Sequence, residues 1–399
     1  MAETMTDDRV MSRIPRRELE RRWNLVRERL KKQNLSALVV LNSEDFLGGY
    51  HKWLTDRPAT TAYHAGAIFH AGELMSVIEH GPEGERRASN GEDPDYPGVG
   101  EILTTAAFHS VNYTHAYEAK RFVEALQRRG YKRIGVAGKG AMPFEFARFV
   151  TENCGMEIVD ETDFIDNCKA LKSADEIAEI KRTAAMQDAV FNKVLPQIKP
   201  GMRDMDVMAL VQYEGRRMGS EQAVFLFGSA QCGQPAGLRH PHYQNRVIQK
   251  GDQLAILIEN NGAGGFYTEL GRTVVLGKAP AALLEACAQA REAQQKTVVQ
   301  LKPGRLCADI AKTHDDHMRA AKLPLEKRLY AHGQGYDLVE RPLIRADETM
   351  ALASGMNLAV HPTFATNEVF ASICDNYLVE DNGPSACLHK TEKKIFELA

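Results

Sequence analysis

Apolar positions recur along this chain with two different periods, and the switches between them lay out its elements. Leu19, Trp23, Val26 and Leu30 share one stripe at helical spacing behind Pro15, a residue suited to a first helical turn. The unbroken apolar run 37–41 reads as a buried strand, and 65–69, 74–78, 133–137 and 156–159 read likewise. Helices are expected over 117–129 and 144–154, closed by Gly130 and Gly155. Strands alternating with helices predict an α/β domain over 1–168.

A new pattern opens at Ser173-Ala-Asp-Glu176. Its hydroxyl and carboxylate make a capping box ahead of a long amphipathic helix carrying Ile177, Ile180, Ala184, Val190 and Val194. A second domain, 169–399, is expected from this boundary. Within it Ile198-Lys-Pro-Gly201, with Asp206-Val207 beyond, recurs as Leu301-Lys-Pro-Gly304, with Asp309-Ile310 beyond. A helix–KPG–helix unit used twice points to two related halves packed on one core.

Between the two copies lies a hairpin pattern. Strand 254–258 leads into the glycine-rich turn 260–265, and a second strand runs over 266–276. Folding the chain about Gly264 sets Glu259 opposite Glu269, with Cβ atoms about 5 Å apart. Two ionised carboxylates that close repel unless a bound cation, a shared proton or solvent relieves them. His240 and His242 precede this hairpin. His332 sits in Ala331-His-Gly-Gln-Gly335, where glycines let backbone or ligand approach the imidazole. His361 ends the apolar run 358–360 ahead of Pro362, and Cys374-Asp375 follows the strand-like 370–373.

Composition narrows the class. The 399 residues are 44% hydrophobic and 26% charged, values of an ordinary soluble protein that exclude a fibrous or disordered chain. A net charge of −3, with no basic excess, argues against a nucleic-acid partner. Seven scattered cysteines without a C-x-x-C fit the reduced thiols of a cytoplasmic protein. The polar start MAETMTDDRV does not resemble a signal peptide, and no window approaches the roughly 20 apolar residues of a membrane span. No membrane partner is expected.

Taken together, the motifs resemble the pita-bread family of methionine aminopeptidase, prolidase, aminopeptidase P and creatinase. Glu269-Leu-Gly-Arg-Thr273 is similar to that family's Asp-x-Thr-Arg-Thr. His332-Gly-Gln-Gly335 with Glu340-Arg-Pro342 is similar to its His-Gly-x-Gly…His-Glu-x-Pro, and Gly355-Met356…His361-Pro362 to its Gly-Met…Glu-Pro. The resemblance implies an N-terminal α/β domain of creatinase/prolidase type, followed by an α+β pita-bread domain with pseudo-twofold halves. Family peptidases hold two metals with Asp, Asp, His, Glu and Glu. The corresponding positions are Glu259, Glu269, His332, His361 and Cys374, with Asp375 an alternative for the fifth. A further family histidine is Val339. These departures argue against an ordinary dinuclear aminopeptidase.

Two mechanisms follow from the resemblance. In one, Glu259, Glu269, His332 and His361, with Cys374 as a fifth candidate, bind one divalent ion, and two imidazoles with two carboxylates suit Zn, Fe or Mn. In the other the site is metal-free, as in creatinase, with His240 as general acid/base and the two glutamates as an acidic centre. Arg341, with Glu340 and Tyr267, is expected to bind substrate, the guanidinium taking a carboxylate. In creatinase-like dimers the region equivalent to 50–57 reaches the partner's site, so Trp53 and Arg57 are expected to close the pocket. The resulting expectation is a cytoplasmic homodimeric hydrolase that cleaves a C–N bond in a small, carboxylate-bearing, non-peptide substrate. The alternatives are a lyase, an Xaa-Pro-type aminopeptidase and a catalytically inactive binding module.

Overall fold

Residues 11–42, 49–58, 63–108, 110, 115–220 and 223–399 are described by the structure, a computed structural model. Contacts divide the chain into two units, Arg13–Lys169 and Ala170–Ala399, the latter also taking Met11 and Ser12.

The first unit begins with α1 (Arg16–Gln33), β1 (Ala37–Asn42) and α2 (Gly49–Thr55). It continues through β2 (Ala65–His70), β3 (Met75–His80), β4 (Arg86–Ala88), β5 (Val99–Thr105), α3 (Tyr117–Gln127), β6 (Arg133–Ala137), α4 (Phe144–Asn153), β7 (Glu157–Asp160) and α5 (Thr162–Ala170). One mixed sheet results, ordered β4-β5-β3-β2-β1-β6-β7. The helical stripe Leu19, Trp23, Val26 and Leu30 is buried as its spacing predicts. Strands β4 and β5 were not legible in the apolar pattern, because Arg86–Ala88 is exposed and Val99–Thr105 mixes Glu and Thr into its run.

The segment 50–57 departs from expectation. It is largely the helix α2, and Trp53 is only 1% exposed. The Arg22 guanidinium lies 5.6 Å from the Trp53 ring and donates to its carbonyl at 2.9 Å. Arg57 pairs with Glu79 at 2.7 Å and stacks on Tyr96 at 3.8 Å. Within the chain, burial of the indole and pairing of the guanidinium engage both residues in their own unit.

The second unit opens with α6 (Ala174–Val194) and its capping box. The Glu176 N–H donates to Ser173 Oγ at 3.2 Å, and the Ser173 N–H donates to Glu176 Oε2 at 2.7 Å. Next come α7 (Asp204–Arg217), β8 (Ala223–Gln231), β9 (Asp252–Asn261), β10 (Tyr267–Leu276), α8 (Ala281–Val298) and α9 (Cys307–Ala320). The rest is β11 (Ala331–Gly333), β12 (Glu340–Leu343), β13 (Asn357–Val360), β14 (Thr363–Ala365), β15 (Phe370–Ser372), β16 (Asp375–Glu380), β17 (Gly383–Pro384) and β18 (Phe396–Leu398). The sheets are ordered β18-β10-β9-β8 and β12-β11-β13-β16-β17, with β14 and β15 paired apart.

The KPG repeat is structural. Gly201, at φ +93°, donates its N–H to Ile248 at 2.9 Å, and Gly304, at φ +80°, donates to Leu352 at 2.7 Å. The return bonds match too, Ile248 to Met202 at 2.7 Å and Leu352 to Arg305 at 2.8 Å. Bridges Arg203–Val247 and Leu306–Ala351 complete the correspondence. Each half thus uses a helix, a positive-φ glycine and a second helix to frame its own sheet. The hairpin β9–β10 carries acids from one half, and β11 and β13 lead the imidazoles in from the other.

Candidate active site

The hairpin register pairs Glu269 directly with Glu259, as folding about Gly264 requires. Gly265 takes φ +83°, a conformation that suits glycine at this reversal. Both strands are buried throughout, and Glu259 and Glu269 are 6% and 3% exposed. Gly271 exchanges backbone hydrogen bonds with Cys374 at 3.0 and 3.3 Å. A Cβ at residue 271 would lie 2.8 Å from that of Cys374, so only glycine admits this approach. The approach brings the Cys374 thiol against Glu269.

The imidazoles arrive from the second sheet. His332 lies on β11, opposite Ala359 of β13, and His361 follows β13. Their ring centroids are 5.1 Å apart. His332 Nε2 stands 3.7 Å from Glu269 Oε2. The ligand atoms of Glu269, His332 and His361 all lie within 4.8 Å of one another. His332 Nδ1 donates to the Gly333 carbonyl at 2.9 Å, which leaves a bare lone pair on the nitrogen facing the cluster.

Burial sets the charge state. It raises the Glu269 carboxyl to about 7, and it raises Glu259 well above the usual carboxylate range with help from the charge of Glu269. Burial lowers His332 to about 4 and His361 well below its ordinary value, with neighbouring His332 and Arg328 adding to the second effect. Near neutral pH the acids therefore hold a proton between them and both rings are uncharged. Glu269 Oε2 and His361 Nε2 are buried without a hydrogen-bond partner. Neutral imidazoles, a facing carboxylate and two orphaned lone-pair atoms fit one divalent cation, with Glu259 and the Cys374 thiol adjacent.

A cavity of about 290 Å³ opens onto this cluster. Its wall is apolar, with Leu226, Leu238, Leu257, Leu329 and Val339, and the cation in its lining, Arg328, is ion-paired with Glu326 at 3.1 Å. No motif pointed to Arg328, which lies in an irregular stretch ahead of β11. A larger cavity of about 500 Å³ shares Ser372 with it but touches neither the two acids nor the two imidazoles.

The other expected residues are distributed as follows. His240 is exposed, stacked on His242 at 6.0 Å, and does not line the cavity. Arg239 pairs with Phe227, so extended-chain alternation puts His240 on the same side as the cavity residue Leu238. Arg341 turns away from the cluster, its guanidinium bound by Glu348 at 2.7 and 3.1 Å. Glu340 is buried and ion-paired with Lys172. Tyr267 is fully buried, and its N–H ties the hairpin to Gly335 at 2.8 Å. Each of these three is engaged in holding the loops around the site, and none of them is in the cavity lining. Asp375 faces the opposite way from Cys374, pairing with Arg272 at 2.7 Å. It also lies within 4.8 Å of Cys387 and His389, but the nearby Arg272 and Lys393 disfavour a cation there.

Among described residues no helix is long and apolar enough to cross a membrane. The metallopeptidase family M24 model matches residues 178–381. An Xaa-Pro dipeptidase of Pyrococcus horikoshii is 26% identical over 285 residues, which are 69% of this chain and 77% of that one. An uncharacterised hydrolase/peptidase of Sinorhizobium fredii is 27% identical over 408 aligned positions, 93% of this chain and 91% of that one. The X-Pro aminopeptidase structure from Thermotoga maritima superposes with a TM-score of 0.78 at 15% identity, covering 94% of this chain and 99% of that one. The likeness carries the α/β and pita-bread architecture over both units.

Proposed function

The chain belongs to metallopeptidase family M24, and from that premise we propose that it hydrolyses a C–N bond in a small, carboxylate-bearing substrate at a single-cation site. The observation that carries this reading is the convergence of Glu269, His332 and His361 within 4.8 Å beside the opposed Glu259. A divalent ion held by those three would polarise a carbonyl and make water more acidic. The chain's own residues do the rest. The acid pair gives its proton to the departing nitrogen as the C–N bond breaks and water oxygen bonds to carbon, and it takes back the proton that the water sheds. His240, exposed two positions beyond the cavity-lining Leu238, relays protons between the site and solvent. The leucine wall excludes bulk water, and Arg328, half exposed and paired with Glu326 at 3.1 Å, is the cavity-lining cation that would share itself with a substrate carboxylate.

Substrate size is limited by the cavity of about 290 Å³, at the lower edge of ordinary small-molecule pockets. Xaa-Pro dipeptides, the substrates named for one relative, also carry a carboxylate near the scissile bond. A panel of such dipeptides and of non-peptide N-substituted amino acids tests the substrate class. The expected preference is for the non-peptide compounds, and turnover of dipeptides alone would overturn it. Arg328→Ala should raise KM by about tenfold or more with kcat little changed, the loss of a charge-assisted bond made equally in ground and transition states. An unchanged KM would remove Arg328 from recognition.

One observation favours a metal-free variant of this mechanism. A Glu269 carboxyl raised to about 7 is suited to act as a general acid without assistance. Activity that survives exhaustive chelation would select that variant.

A further inference from the structure

Hydrogen-bond direction in this site runs from one atom whose role is fixed by chemistry. The backbone N–H of Glu269 is a donor, and it meets the Asn376 side chain at 2.8 Å. The Asn376 atom it meets must be the oxygen. The NH2 of Asn376 then faces the side-chain oxygens of Gln334 at 2.9 Å and Asn357 at 3.2 Å. Gln334, with its oxygen so engaged, turns its own NH2 to Glu259 Oε1 at 2.9 Å. Asn357 donates to the Gln334 backbone carbonyl at 3.0 Å, closing the arrangement. All three amides are at most 1% exposed, so water cannot rescue a flipped one.

We propose that this amide relay makes the two opposed acids unequal: Gln334 pins Glu259 by one oxygen and leaves Glu269 as the carboxylate that serves the imidazoles and a cation. Glu269 Oε2 is the unpartnered oxygen and faces His332 Nε2. Glu259 Oε1 spends one of its lone pairs on Gln334 and is held in place by it, which makes it the poorer oxygen for a second cation. The relay thus adapts a hairpin of facing acids to one ion. Gln334 is a positioning residue, acting through Glu259. The inference rests on the cation reading above.

The test is Zn²⁺ affinity of the full, chelator-stripped chain, measured in competition with a chromophoric chelator. Gln334→Leu keeps volume and removes the donor; it should weaken Zn²⁺ binding by about 10–100-fold, while the core variant Ile258→Val stays within about twofold. Gln334→Met, whose flexible side chain fills the same space, is read in the same way if the leucine variant fails to fold. Near-wild-type affinity in a folded Gln334 variant, with binding abolished in Glu269→Gln, overturns the relay alone. Absence of Zn²⁺ binding by the wild type overturns the cation reading, and the relay's role with it.

Discussion

Glu269→Gln lowers kcat by about 10²–10⁴, the range for loss of a positioned acid/base group, and leaves the protein folded. The amide keeps the shape of the side chain and the β10 backbone bond to Asn376. It removes the oxygen that faces His332 and the proton carried by the pair. Stability moves the other way from activity. A carboxyl raised from 4.5 to about 7 in the fold binds its proton more tightly native than unfolded. In chelator-treated wild type it therefore destabilises the fold increasingly as pH rises from about 4.5 to about 7, and this penalty persists above that range. Glutamine carries no such penalty, so the Tm of the variant relative to wild type should be higher at about pH 8 than at about pH 4. A relative Tm that falls with pH would contradict the buried, proton-sharing environment assigned to Glu269.

Arg272→Met should destabilise the fold by about 3–5 kcal/mol, the usual consequence of stranding a buried partner charge. Both side chains of the Arg272–Asp375 pair are at most 1% exposed. The guanidinium also donates to the carbonyls of Gly271, Cys374, Thr391 and Glu392 at 2.7 to 3.0 Å. Those bonds fasten the stretch that carries Cys374 and Asn376 to the strand that carries Glu269. Loss of the arginine leaves Asp375 with Gln294 at 3.1 Å and Lys393 at 3.4 Å. Thermal unfolding should show a Tm drop of about 10 °C, and Arg272→Met/Asp375→Leu should recover part of it, because a paired apolar replacement strands no charge. A single variant as stable as wild type would show that the pair does not hold the two strands together.

The acid pair was legible in the sequence because strand pairing is arithmetic: a glycine turn centred between two glutamates sets their register. His332 and His361 were legible from glycine neighbours and family spacing. The pairing of Arg341 with Glu348, only seven positions on, was not legible, because local sequence does not show which way a short strand turns such a side chain. The helix around Trp53 was not legible because an aromatic flanked by basic residues reads equally as a loop or as a buried helical turn, and hydrophobic burial decided for the helix. Gln334, Asn357 and Asn376 carry no charge or period, and their meaning comes from partners far along the chain. Arg328 gained its place from the fold of an irregular segment.

Elemental analysis of the protein purified without chelator should find about one divalent ion per chain, Zn, Fe or Mn, retained by wild type and lost from His332→Ala. Two ions per chain, or one held equally well without His332, would contradict the single-cation site.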